Sequence, residues 1–352
     1  MANTYRAWPP KKADQAVMMH ASCTLFDHRY MSRGLAMIRS LRRAVPGAQV
    51  WVLCLDDAAL ETFQKIDEPG VHPIPFAEFE AGDPELVAAK ADGRNLIEYY
   101  FSAKPSLIAH VMREAPEAEY VSYLDSDLWF LSDPAPIFSE GGDASVLITP
   151  HRFPEPAGER RRYGRFNAGW ISFRRSAEGV TALQWWRARC LEWCFDRVDE
   201  ANNRFADQRY LDQLAEKWPG VHCVRHPGAN LAPWNVGRHP LTLRDGAIMV
   251  QEIWPLLFFH AHGVRAIGRD FYITAEDVYR GPPDPVLREH IYRPYLKILR
   301  LIDREIRPLL PVTTTPLRRL SNNPASGRLQ ALKTGLRIAR AFARGALIYV
   351  PE

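Results

Sequence analysis

No apolar run in the chain approaches the ~20 residues that a membrane-spanning helix needs. Met1 to Lys12 lack the basic-then-apolar order of a signal peptide. Cysteine is scarce: Cys23, Cys54, Cys190, Cys194 and Cys223 make an odd count with no Cys-x-x-Cys spacing. That excludes a disulfide framework and reads as reduced, mostly buried thiols, with Cys190 and Cys194 on one helix face as core packing rather than metal ligands. The expected location is the cytoplasm. The stretch Thr24 to Arg33 has no glycine, so no Gly-rich phosphate cradle forms there. No Gly-x-Ser-x-Gly occurs either, which removes the nucleophile elbow of Ser/His/Asp hydrolases.

The 352 residues, 47% hydrophobic and 24% charged, can bury a large soluble core. Charge is uneven. Residues 281 to 352 hold 13 Lys and Arg against 5 Asp and Glu, a formal +8; with the whole chain at +4, the first 280 residues carry −4. A basic excess confined to the tail argues against a nucleic-acid-binding body.

Strand-like runs at Ala16–Leu25 and Gln49–Leu55 flank a helical pattern over Arg33–Ala44, in which Leu35, Ile38 and Leu41 recur. Leu96 to Glu114 predicts a helix, with Pro105 in its first turn or restarting it. Val121–Leu124, Ala144–Thr149 and Gly169–Phe173 predict strands; Ala177–Arg197, carrying Trp185, Trp186 and Trp193, and Arg204–Glu216 predict helices. The class is α/β with a mixed, mostly parallel sheet. One domain over 1–280 and a basic helical extension over 281–352 are expected. Within that extension Thr313–Pro316 and Ser321–Pro324 read as linkers, and Arg328–Val350 as a helix with Lys333, Arg337, Arg340 and Arg344 on one stripe. Leu329, Leu332, Leu336, Ala339, Ala343 and Leu347 lie beside that stripe. Such a helix either docks on the acidic body or lies on an anionic membrane surface.

The most informative segment is Tyr120 to Phe130, in which Asp125 and Asp127 end an apolar strand. Two carboxylates so close repel unless a cation sits between them. Divalent ions are held by one or two carboxylates together with substrate phosphates, so the pair reads as a metal-diphosphate site. An aspartate phosphatase would continue the pair with Gly or Val and Thr; here Leu128-Trp129 follows.

Five further segments make the chain resemble glycosyltransferase family 8 and its bacterial relatives of the A-type glycosyltransferase fold, over roughly residues 17 to 275. They are Cys23–Tyr30 with Gly34, the stretch around Lys104, Arg165–Phe173, Phe205–Asp212 and Leu257–Gly263. The resemblance implies a single Rossmann-like domain and a nucleotide-diphospho-sugar donor, with UDP the first nucleotide to test. Thr24, Phe26 and Tyr30 match the loop that holds base and ribose, and a hydroxyl with aromatic faces suits that task. Lys104 matches a basic residue near the donor, and Ser126 lies between the two acids. Asn167-Ala168-Gly169 matches an Asn-Ser-Gly strand start, with Ala168 lacking the hydroxyl. Asp207-Gln208 matches the pair beside the reacting sugar carbon; the bland alternative is Asp207 as a helix N-cap. His260 lies three residues before Gly263 and matches the third ligand of a Mn²⁺ or Mg²⁺ site; His262 is the alternative, which strand alternation would turn to the opposite face. The pyrophosphate Lys of the family is replaced by Ala266, leaving Arg265 as the substitute. Trp234 and Asn235, in Gly228–Asn235, match a loop lining the sugar or acceptor site.

The resemblance thus implies a metal-dependent hexosyltransferase acting with retention on a glycan or lipid-linked acceptor, in polysaccharide biosynthesis. The alternative is a carbohydrate- or nucleotide-sugar-binding protein of the same fold without turnover. Retaining both acids, His260 and Asp207 together favours the enzyme.

Overall fold

The computed structural model describes residues 20–154, 158–267, 270–279, 284–310 and 328–351. The start of the first expected strand and both expected linkers lie outside the described residues, as do the side chains of Leu329, Leu332 and Lys333.

Eight strands come first in the chain: β1 (His20–Phe26), β2 (Gln49–Cys54), β3 (Val71–Pro75), β4 (Tyr120–Leu124), β5 (Leu128–Phe130), β6 (Val146–Pro150), β7 (Phe166–Arg174) and β8 (Val221–Cys223). Seven of them form the central sheet in the order β3-β2-β1-β4-β7-β6-β8. Pairing is parallel throughout except where β7 runs against β4 and β6. The expected α/β class with a mostly parallel sheet is borne out, and a helical C-terminal region is present.

Alternation along each strand feeds two cores. Ala21 and Cys23 of β1, with Val121 and Tyr123 of β4, pack under the helices Leu96–Glu114 and Ala177–Glu192. Phe26, Tyr120 and Leu124 face the helices Met31–Ala44 and Arg293–Ile306. A parallel sheet covered on both faces needs this two-sided apolar pattern. From β1 the chain winds one way into β2 and β3, while β4 joins β1 on its other edge. That reversal opens a crevice at the carboxyl ends of β1 and β4, the place where open α/β sheets bind ligands.

Four expected elements differ. The Leu96–Glu114 helix is continuous, with Pro105 in its interior rather than at its start. Its beginning is set by a capping box between Asn95 and Glu98, and burial of Ala103, Leu107, Ile108 and Val111 offsets the hydrogen bond that proline forfeits. The Ala177 helix stops at Glu192, and Trp193 is extended. The helix expected from Arg204 begins only at Tyr210, because Ala206 is left-handed with φ +46°. The strand expected from Gly169 starts at Phe166, so Asn167 and Ala168 lie inside it. The β6–β7 register slips between Ile148 and Thr149, which pairs Ile148 with Ile171 but Thr149 with Asn167. Residues 168–170 are thereby bulged out beside the crevice.

Beyond the sheet, β9 (Leu241–Arg244), β10 (Ala247–Val250) and β11 (Trp254–Pro255) form a small antiparallel unit. β12 (Phe258–His260) pairs with β5, setting His260 opposite Leu128. β13 (Arg265–Ile267), β14 (Phe271–Ile273) and β15 (Leu347–Tyr349) form a last sheet that ties the chain's end to the body. The Arg293–Ile306 helix buries Tyr295, Leu296 and Leu299 in the same core as Met31–Ala44, and Arg39 bridges Glu68 and Glu305 across them.

Candidate active site

Asp125 directly follows β4, and its N–H donates to Gly169 O at 2.9 Å. The turn through Ser126, which is partly exposed, closes with Leu128 N–H on Asp125 O at 3.2 Å. That turn sends Asp127 toward β12, where Ala261 N–H donates to Asp127 O at 2.9 Å. The β5–β12 ladder therefore delivers His260: its Nε2 lies 3.0 Å from Asp127 Oδ1 and 3.7 Å from Asp125 Oδ2. β12 ends at His260, and His262 N–H turns back onto His260 O at 2.8 Å. Strand alternation therefore does not apply to His262. Asp127, His260 and His262 each bring a ligand atom within 4.8 Å of the others.

On the other side of Asp125, Lys104 Nζ lies 3.2 Å from Asp125 Oδ1 and 3.1 Å from Asp207 Oδ2. Its ammonium also lies over the rings of Tyr123 and Phe101. Burial works against the Lys104 charge, but Asp125 and Asp207 together hold its pKa well above the ordinary lysine value. Burial raises Asp207, with Lys104 opposing. Burial also works against Asp127, yet His260 beside it pulls its carboxyl far below the usual range. His260 is raised: burial lowers it and Asp127 outweighs that.

Gly169 lies at the centre. A Cβ there would sit 2.6 Å from Asn167 Oδ1, 2.6 Å from His260 Cε1 and 2.9 Å from Asp125 Oδ2. Only glycine admits this convergence. Asn167 donates to Gln208 Oε1 at 3.2 Å and accepts from Gly169 N–H at 3.1 Å. Gln208 in turn donates to Tyr163 O at 2.8 Å and accepts from Ala168 N–H at 3.4 Å. Asp207 is no N-cap; the following helix is preceded by Arg209 and has no side-chain cap. Left-handed Ala206 instead turns Asp207 inward, with its carbonyl held by Trp186 Nε1 at 2.9 Å.

No family model matches the chain. YfnF of Bacillus subtilis (strain 168) is 34% identical over 257 residues, covering 71% of this chain and 83% of the relative. YfnD of the same strain is 34% identical over 291 residues, covering 82% and 91%. The chain belongs to the family of YfnF and YfnD. Both of those relatives are uncharacterized. In fold, the structure is similar to the galactosyltransferase LgtC solved with donor and acceptor sugar analogs, with a TM-score of 0.49, 17% identity and coverage of 83% of this chain and 100% of that one. It is also similar to the glycosyltransferase GlyE of Streptococcus pneumoniae TIGR4, with a TM-score of 0.41, 16% identity and coverage of 84% and 65%.

In this family member, the expected site residues fall into three groups. Lys104, Asp125, Asp127, Asn167, Ala168, Gly169, Asp207, Gln208 and His260 converge. Ser126 and Gly263 lie on the turns beside them, Gly263 left-handed at φ +75°, and Arg265 begins β13; burial lowers the pKa of His262, and Arg265 adds to that. The remainder have other surroundings. Phe26 is 2% exposed, with its ring packed over Gly34 and against Phe63, so it has no open face. Thr24 is buried inside β1 rather than on the following loop. Tyr30 is partly exposed under the Arg33 guanidinium, 5.0 Å from its ring. Asn235 holds its own loop, donating to His151 O at 2.8 Å and Asn230 O at 3.0 Å and accepting from Ala232 N–H at 2.9 Å. Trp234 packs edge-on to His260 and His262 at 5.1 and 5.7 Å.

Sequence reasoning missed His151 and Arg33. His151 stacks on Phe153 and meets Trp234 edge-on. Burial and the neighbouring His260 push its pKa down to about 3. Arg33 is buried, donates to Val264 O at 2.8 Å and helps lower Asp127. Its only sequence signal was a charge inside the apolar periodicity of a helix start. At the ends of β1 and β2, His28 Nδ1 lies 2.5 Å from Asp56 Oδ2, a pairing for which the sequence carries no spacing signal.

Proposed function

We propose that the chain is a metal-dependent glycosyltransferase of the A-type fold that moves a sugar from a nucleotide-diphospho-sugar, a UDP-sugar first, to a glycan or lipid-linked acceptor with retention. The observation that carries this reading is the convergence on Gly169, at the carboxyl edge of β4, of a carboxylate–imidazole set and a separate buried carboxylate–ammonium set. Asp127, His260 and His262 would hold a divalent ion, with Asp125 adjoining; imidazole with carboxylate suits Mn²⁺ better than Mg²⁺. When bound, that ion supplies Lewis-acid neutralisation of the diphosphate leaving group.

The protein's own groups do the rest. Lys104 lies between Asp125 and Asp207 and fixes the two carboxylates against their mutual repulsion. Asp207 offers negative charge to a sugar carbon as it becomes oxocarbenium-like. Gln208 pins Asn167 and the Ala168 N–H, so the bulged start of β7 faces the sugar in one geometry. Gly169 leaves that space clear. The helix Arg328–Ala343 exposes Leu336 and Phe342 near Arg337, Arg340 and Arg344, which suits peripheral contact with an anionic membrane surface.

The test is release of nucleoside diphosphate from a panel of sugar nucleotides with and without Mn²⁺. Turnover with at least one donor, dependent on Mn²⁺, is expected. Neither turnover nor metal-dependent thermal stabilisation with any donor would end the enzyme reading.

A further inference from the structure

We propose that Arg33 is a positioning residue for the histidine end of the cluster, holding the turn that carries His262 against Asp127. This inference rests on the metal-dependent glycosyltransferase reading and adds the side chain that keeps one metal ligand in place.

Nothing in the fold alone calls for an arginine at this position. Arg33 is buried in the first turn of the helix Met31–Ala44 and has no ion pair among the described residues. A buried cation without a carboxylate partner is costly. It also stands at the end of the helix where the dipole opposes positive charge. Its Nη1 has no hydrogen-bond partner among the described residues, and neither has the buried hydroxyl of Tyr295, which the Arg33 charge reaches. An apolar side chain would suit the surrounding core of Met31, Leu35 and Leu299 better. Local rules are broken in this way where function requires it.

What Arg33 holds is far away in sequence. Its Nη2 donates to Val264 O at 2.8 Å, and its guanidinium lies 5.0 Å from the Tyr30 ring. Val264 closes the turn of residues 261–264 between β12 and β13. Inside that turn His262 N–H bonds back to His260 O at 2.8 Å. Left-handed Gly263 packs so closely on Ala275 that a Cβ would sit 2.9 Å from the Ala275 Cβ. The bond from Arg33 is the one side-chain hydrogen bond that reaches the turn among the described residues. Beyond edge-on contacts with Trp234 and Tyr279, the place of exposed His262 beside Asp127 follows from the backbone of this turn. The charge of Arg33 also reaches Asp127. Charge alone would oppose a divalent ion, whereas a fixed turn favours one, so the two roles have opposite signs.

The full-length chain is titrated calorimetrically with Mn²⁺ alone. Arg33→Met removes the charge and the donor and should bind Mn²⁺ at least about tenfold more weakly. Arg33→Lys restores a charge and a donor for Val264 O and should recover most of that loss. In chelator, amide hydrogen exchange of Arg33→Met should quicken over residues 261–265 and stay unchanged over residues 35–41. Unchanged or tighter Mn²⁺ binding in Arg33→Met overturns the proposal. So do equal losses in the Lys and Met variants. Exchange that quickens along the whole first helix, or an Arg33→Met chain that does not fold, makes the arginine a structural element and overturns it as well. A wild type that takes up no Mn²⁺ removes the metal reading and this inference together. Binding by the wild type with no loss in Arg33→Met removes the inference alone.

Discussion

At one end of the buried acidic cluster Lys104 lies 3.2 Å from Asp125 and 3.1 Å from Asp207; at the other, His260 lies 3.0 Å from Asp127. Both cations are buried, and both are opposed by that burial. The lysine end is permanent, because two carboxylates hold the ammonium well above its ordinary pKa. The histidine end is conditional, because an imidazole can exchange its proton for a metal without leaving the carboxylate. One cluster thus contains a fixed ion pair and, on the proposed reading, a replaceable one that a metal would occupy.

The contrast is broken most directly at its conditional end. Asp127→Asn should lower Mn²⁺-dependent donor affinity by at least about a hundredfold, read by calorimetry, with the circular dichroism spectrum unchanged. Normal donor affinity in that variant removes the metal role. At the permanent end, Lys104→Met leaves Asp207 buried and Asp125 half-buried without their cation and should cost about 3–5 kcal/mol in denaturant unfolding. His260→Gln, measured the same way in chelator, should cost clearly less. Equal losses would erase the distinction between the two ends.

Between them, Gly169→Ala tests whether the two ends share one space. The added methyl would meet Asn167, His260 and Asp125 together, so stability should fall by about 1–3 kcal/mol and donor turnover should drop with it. Full activity would mean that the convergence is looser than the contacts imply.

The pH dependence sharpens the histidine end. His151 is lowered from 6.5 to about 3 by burial first and the neighbouring His260 second. As pH falls below 6.5, the unfolded chain takes up a proton that the folded chain refuses, so stability falls with pH down to about 3. His151→Phe should flatten that limb of a pH–stability curve. An unchanged limb would place the acid sensitivity elsewhere.

How much of this was legible beforehand follows from where the signal lies. Asp125 and Asp127 end an apolar strand, and Asp207-Gln208 and His260 stand at family spacings, so local pattern sufficed to find them. His151 and Arg33 are recruited by the fold, one by the β6–β7 bulge and one by packing under the His262–Arg265 turn, and neither event has a local signature. Phe26 was misplaced for the opposite reason. Its residue type suits a base-stacking loop, but Gly34 one helical turn into the next element opens a slot for its ring in the core. Asn235 was matched as a sugar contact by its segment's resemblance to a family loop, whereas its amide closes its own loop. Ala206's positive φ was invisible, and with it the start of the helix at Tyr210.

The smallest expected effect lies far from the cluster. Leu336 is 63% exposed and Phe342 74% exposed on the helix Arg328–Ala343. Deleting this region would also remove β15, whose pairing with β14 ties the end of the chain to the body, so loss of membrane contact could not be told from loss of fold. Leu336→Gln/Phe342→Gln removes only the apolar contribution and leaves the arginines in place. Partition onto anionic vesicles should weaken by about tenfold if both side chains enter the headgroup boundary, and the effect should survive added salt, since burial rather than charge is lost. Partition that is unchanged at high salt would return the helix to a docking role on the acidic body.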